Sequence, residues 1–175
     1  MRLDGYDYSQ AGLYYVTICL EQMKHDYFAR IIDSADENGN IHTISKLTAN
    51  GKVALEQLFA LEERYSFVKI KEYVIMPDHI HFVIQFLAQQ TEKKVTLNDV
   101  VCAYKSLTTK ALNQTEEKKG RKVFHRSYYD HIILGQHDYD RIRQYIQDNP
   151  INWRTHKSLA DYQEEQSLWV GKNKI

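Results

Sequence analysis

The chain predicts an α+β fold in which an antiparallel sheet carries two helices on one face, and three observations carry that prediction. Short runs rich in β-branched and aromatic residues alternate with longer stretches whose apolar residues recur at helical spacing. Two of the strand-like runs meet at Pro77-Asp78, a turn rather than a crossover. The 175 residues suffice for one domain with a core of its own.

Residues 13–20, set off by Gly12, are apolar and β-rich and read as the first strand. Residues 28–33 and 41–44 flank Asn38-Gly39-Asn40, whose Asn-Gly step turns a small hairpin. In residues 52–65, Ala54, Leu58, Leu61 and Tyr65 recur at helical spacing, with Thr48 or Asn50 as the cap. Residues 69–76 and 79–86 form two strands around the Pro77 turn. Thr96, with Asp99 three residues on, caps a second helix in which Leu97, Val100, Val101, Tyr104, Thr108 and Ala111 share a face. Residues 113–121 are polar and charged and read as a loop, and 127–134 as a strand. Asp138 opens a third helix to about Asn149, where Pro150 disfavours continuation.

With the early hairpin set aside, the order is βαββαβ followed by one more helix, which is the ferredoxin-like plait. Its sheet has one face free, and the third helix is the candidate to lie there. Residues 1–153 are read as one domain and 154–175 as a tail.

Composition narrows the classes of function. A mean hydropathy of −0.57 and the lack of any apolar run near the ~20 residues of a bilayer span exclude a membrane protein. The first residues lack the apolar core of a signal peptide, so the expected location is cytoplasmic. Cys19 and Cys102 have no zinc-like spacing and are expected as reduced, packed thiols. With 23 basic and 23 acidic residues, the chain is not a protein that coats nucleic acid with a uniformly basic surface. Charge is nevertheless segregated locally. Lys118, Lys119, Arg121, Lys122 and Arg126 cluster beside His125, as a solvated loop or as a track for phosphates.

The chemistry-bearing stretch is Tyr73-Val74-Ile75-Met76-Pro77-Asp78-His79-Ile80-His81-Phe82-Val83-Ile84. Strand side chains alternate faces, so His79 and His81 point the same way, in the manner of paired metal ligands. Ile80, Phe82, Ile84 and Phe86 point the other way and require cover by helices. Alone, His-x-His is a weak pattern. The third helix adds Tyr145 and Asn149, four residues apart and so on one face, with Arg141 one turn earlier to meet an anion. Each of these also has a plain reading, Tyr145 as a packed aromatic and Asn149 as a helix-terminal cap.

Three blocks together resemble the IS200-like, REP-associated tyrosine transposases, within the HUH single-strand DNA endonucleases named for His-hydrophobic-His. They are Gly5-Tyr6-Asp7-Tyr8-Ser9-Gln10 with Tyr15-Val16-Thr17-Ile18-Cys19, then Val74-Ile75-Met76-Pro77-Asp78-His79-Ile80-His81. The third is Arg126-Ser127-Tyr128-Tyr129-Asp130-His131-Ile132-Ile133, leading into Arg141 through Pro150. His125 and Phe124 depart from the pattern, where relatives commonly have glutamine and tryptophan.

The resemblance implies a ferredoxin-like catalytic domain that cuts and rejoins single-stranded or hairpin DNA through Tyr145. His79, His81 and Asn149 would then hold a divalent metal, Mg²⁺ or Mn²⁺, and Arg141 with the basic cluster would contact DNA. Asp130 and His131 are candidates to orient an imidazole or to contact DNA, or are plain edge-strand residues. Two other functions remain open: a replication-initiator-type nickase with the same site, and a domesticated hairpin-DNA-binding protein whose chemistry is idle. Monomer and homodimer are both compatible with the sequence.

Overall fold

A computed structural model describes residues 5–153 apart from positions 23 and 91, and the expected tail, 154–175, lies outside the described residues. Along the chain run β1 (Gly12–Cys19), β2 (Ala29–Ala35), β3 (Ile41–Leu47), α1 (Ala49–Arg64), β4 (Val68–Ile75), β5 (His79–Phe86), α2 (Leu97–Thr115), β6 (Tyr129–Ile133) and α3 (Gly135–Asn152). Strands β4, β5, β1 and β6 lie side by side in that order, all antiparallel, while β2 and β3 pair as a separate hairpin. This is the plait that the sequence predicts, with the hairpin as an excursion.

Helix α1 starts where Thr48 Oγ1 accepts the Gly51 N–H at 3.1 Å, and it buries Gly51, Ala54, Leu58 and Leu61. Gly51 has no substitute here, because a Cβ would stand 1.9 Å from the carbonyl oxygen of Phe28. That carbonyl also accepts the Thr48 N–H at 2.9 Å, and Phe28 N–H donates to the Pro77 carbonyl at 3.0 Å. Hairpin, helix and the turn before His79 are thereby tied at one point. Helix α2 opens with a Thr96–Asp99 capping box and buries Leu97, Val100, Val101, Tyr104, Thr108 and Leu112. Both helices press on the sheet face carrying Val16, Ile18, Ile80, Phe82, Ile84 and Phe86. Helix α3 covers the other face, where Ile142 and Ile146 pack with Tyr15, Val83 and Ile133.

Four expectations need correction. Helix α2 does not give way to a loop at residue 113 but runs to Thr115, because Leu112 is still in the core. Helix α3 begins at Gly135, whose φ of +81° lets the chain swing directly out of β6. It also continues through Pro150. A proline removes one helical N–H, but here in the final turn, where Ile146, Asn149 and Pro150 are buried and Trp153 N–H reaches the Asn149 carbonyl at 3.0 Å. Finally, Cys102 is an exposed thiol on α2 rather than a packed one, and both cysteines are free. Among the described residues no helix is long and apolar enough to cross a membrane.

Candidate active site

Strand register decides which side chains meet. Cys19 and Thr17 of β1 pair with His79 and His81 of β5, while Tyr15 and Thr17 pair with His131 and Tyr129 of β6. Residues directly across a ladder share a face. Tyr15, Thr17, His79, His81, Tyr129 and His131 therefore line the face under α3. The two imidazoles are 4.7 Å apart between ring centroids and almost wholly buried, His79 at 3% and His81 at 0% exposure.

Helix α3 crosses directly above them. The Tyr145 ring lies 5.5 Å from that of His81, and the Trp153 ring 5.6 Å from that of His79. Tyr145, Asn149 and Trp153 are spaced by four residues and stand in a row on one helical face. Asn149, midway between Tyr145 and Trp153 along that face, is buried.

Each imidazole is fixed through its Nδ1. Asp78 Oδ1 lies 2.7 Å from His79 Nδ1, and since a carboxylate only accepts, that nitrogen carries the proton. His81 Nδ1 is 2.7 Å from the Tyr15 hydroxyl and 2.9 Å from Thr17 Oγ1. With Nδ1 so engaged, Nε2 is the nitrogen that can bind a metal, the arrangement that orients metal-ligating histidines. Among the described residues no group of three or more His, Cys, Asp or Glu is placed to hold an ion. Two imidazoles and the buried Asn149 amide are donors of the types that could hold a divalent cation.

Burial, and then the neighbouring His79, holds the His81 pKa well below the ordinary 6.5. Its sign follows from the linkage of protons to folding: below pH 6.5 the unfolded chain takes up a proton on His81 that the folded chain refuses. Stability of the metal-free protein is therefore expected to be complete above pH 6.5 and to fall as the pH drops from there towards the folded pKa. Thermal melts in chelator from pH 7.5 to 5 check this against His81→Gln, which should flatten the dependence. An equally steep fall in the variant would place the proton uptake elsewhere.

The remaining candidates separate into distinct roles. His131 is not joined to either metal-type imidazole but turns its Nε2 to Asp138 Oδ2 at 2.8 Å. Asp130 pairs in register with Val16, a residue of the helix-covered core, so it stands on the far face of β6 and does not orient His79 or His81. Arg141 Nη2 donates to Asp138 Oδ1 at 2.8 Å and remains partly exposed, one turn before Tyr145. Arg121, expected on the phosphate track, is built into the fold: its guanidinium is paired with Glu116 and donates to Tyr27 Oη at 2.8 Å and to Asn113 Oδ1 at 3.2 Å. Lys118, Lys119, Lys122 and Arg126 are exposed. A cleft of about 360 Å³ opens beside Lys122, lined also by Lys24, Tyr27 and Gly120.

Sequence reasoning missed Asp78, Asp138 and the pair Tyr15 and Thr17. Asp78 had a signal, a carboxylate immediately before the first histidine. Asp138 was read as opening α3, whereas its carboxylate reaches back to the Leu134 N–H at 3.0 Å and joins His131 and Arg141 as well. Tyr15 and Thr17 become visible only once the register of β1 on β5 is known.

A solved structure agrees with this architecture. The fold is similar to that of a REP-associated tyrosine transposase solved bound to a REP hairpin, with a TM-score of 0.62 at 16% identity over 92% of this chain and 79% of that one. A putative transposase from Deinococcus radiodurans aligns with a TM-score of 0.42 at 16% identity, over 85% of this chain and 96% of that one. An uncharacterized protein of Haemophilus influenzae is 27% identical over 179 residues, covering 92% of each chain. The family model described as "Transposase IS200 like" matches residues 42–149, well over half of the chain and including His79, His81, Tyr145 and Asn149, and the chain belongs to the IS200-like transposase family.

Proposed function

We propose that this transposase nicks and rejoins single-stranded DNA at a hairpin through a covalent bond to Tyr145, with a divalent metal held by His79, His81 and Asn149. The observation that carries the reading is the row Tyr145, Asn149 and Trp153 standing over the buried His79–His81 pair. The solved structure of similar fold is of a protein bound to a REP hairpin, which supports a hairpin as the substrate class.

A phosphodiester repels nucleophiles through its own negative charge. His79, His81 and Asn149 would hold a divalent metal, Mg²⁺ or Mn²⁺, which when bound would supply positive charge to offset that repulsion. The protein's own residues supply the rest. Tyr145 Oη forms a bond to phosphorus as the bond to the 3′-oxygen breaks, and the phenolic proton is balanced by the one the departing 3′-hydroxyl gains. The 5′ end stays on the tyrosine as a phosphodiester, so its bond energy is kept and a 3′-hydroxyl can reverse the step at a new junction without ATP. Lys118, Lys119, Lys122 and Arg126 offer exposed charge to the strand's phosphates, and Arg141 offers a partly exposed guanidinium close to the nucleophile.

Incubation with labelled single-stranded hairpin DNA and Mn²⁺ should give a protein–DNA adduct that survives denaturation. A hairpin bound but never cut would favour a binding protein, and an adduct without joined product would favour a nickase.

A further inference from the structure

His81 carries a double demand: it has to present Nε2 to the ion while standing beside the nucleophile. Tyr15 touches both partners. Its hydroxyl is 2.7 Å from His81 Nδ1, and its ring stacks on the imidazole at 5.5 Å with 22° between planes. The same ring meets Tyr145 edge-on at 6.4 Å and 88°. It is 3% exposed and sits on β1, the strand held between β5 and β6, so it has little freedom to move. A tyrosine serving only as core needs a hydroxyl partner of any kind; Tyr14, one residue earlier on the opposite face, sends its hydroxyl to the Gln10 carbonyl.

We propose that Tyr15 is a positioning residue that couples the metal ligand His81 to the nucleophile Tyr145. Its hydroxyl accepts the Nδ1 proton, which fixes the tautomer and leaves Nε2 for the ion. Its ring is the wall that sets where Tyr145 stands. Thr17 Oγ1, 2.9 Å from the same nitrogen, shares the first task but brings no ring for the second. The inference rests on the reading of His81 as a ligand and Tyr145 as the nucleophile.

Substitution separates the two tasks. Tyr15→Phe keeps the wall and loses the hydroxyl, so Mn²⁺ affinity measured by calorimetry should fall about tenfold, with single-turnover cleavage recovering at saturating Mn²⁺. Tyr15→Leu loses the wall, so cleavage should stay depressed by about tenfold or more even at saturating Mn²⁺, with hairpin affinity unchanged. Thermal melts report whether each variant folds, and Tyr15→Phe decides the matter even where Tyr15→Leu melts early. His81→Ala run in parallel distinguishes the two levels of failure. If His81→Ala loses Mn²⁺ affinity while Tyr15→Phe matches wild type in affinity and metal dependence, the positioning role is overturned and the metal site stands. If neither variant changes Mn²⁺ affinity, the metal site is overturned and the role of Tyr15 with it.

Discussion

Tyr145→Phe is expected to give no denaturation-resistant adduct with hairpin DNA at any Mn²⁺ or Mg²⁺ concentration, while melting and binding hairpin like the wild type. Only a hydroxyl is removed, and the ring that packs against His81 and Tyr15 remains. Loss of a nucleophile costs on the order of 10⁶ in rate where it has been measured, far beyond the reach of an adduct assay. Neighbouring tyrosines are poor replacements. Burial, with Asp130 and Asp138 behind it, pushes the Tyr129 hydroxyl up to about 12, and the Tyr139 hydroxyl donates to Glu72 Oε1 at 2.9 Å. An undiminished adduct in the variant would transfer the chemistry to one of them.

The next largest effect is expected at Asn149. Asn149→Ala should weaken Mn²⁺ binding less than His81→Ala does, yet slow cleavage about a hundredfold, because α3 carries both this amide and Tyr145, the proposed nucleophile, and a displacement of ~1 Å costs that much. The competing account is a helix-terminal cap, whose loss would cost roughly 0.5–2 kcal/mol of stability and leave the metal dependence unchanged. Geometry favours the ligand. The terminal hydrogen bond at this residue is accepted by its backbone carbonyl, which alanine retains, while its side chain is buried on the face that carries Tyr145 and Trp153. Calorimetric Mn²⁺ titration with melts of the same variant separates the accounts. A destabilised protein with wild-type affinity and a normal rate once folded would remove Asn149 from the ligand set.

The plait was legible because its determinants are local. Alternation in residues 79–86 and the Pro77 turn assign strands without reference to the rest of the chain, and Thr96 with Asp99 marks a helix start by its own hydrogen bonds. What escaped depends on partners distant in sequence. Pro150 stays helical because burial of its neighbours outweighs one lost hydrogen bond, a balance invisible in the motif itself. Arg121 looked like free charge in a basic run until Glu116 and Tyr27 closed on it. Tyr15 and His81 are separated by 66 positions, and nothing short of strand register could join them.

The two apolar clusters among the described residues are unequal, and they divide the labour of the fold. The larger, between the sheet and α1 with α2, contains no residue of α3; the smaller consists of five buried residues around Ile142 and Ile146. Local opening takes the path that exposes least, so α3 can lift from the sheet while the rest of the plait stays closed. Such an excursion removes the tyrosine and the amide in one motion and leaves both histidines in place. Amide exchange in α3 should accordingly run ahead of exchange in β1 and β5, and warming should silence the molecule before it melts it.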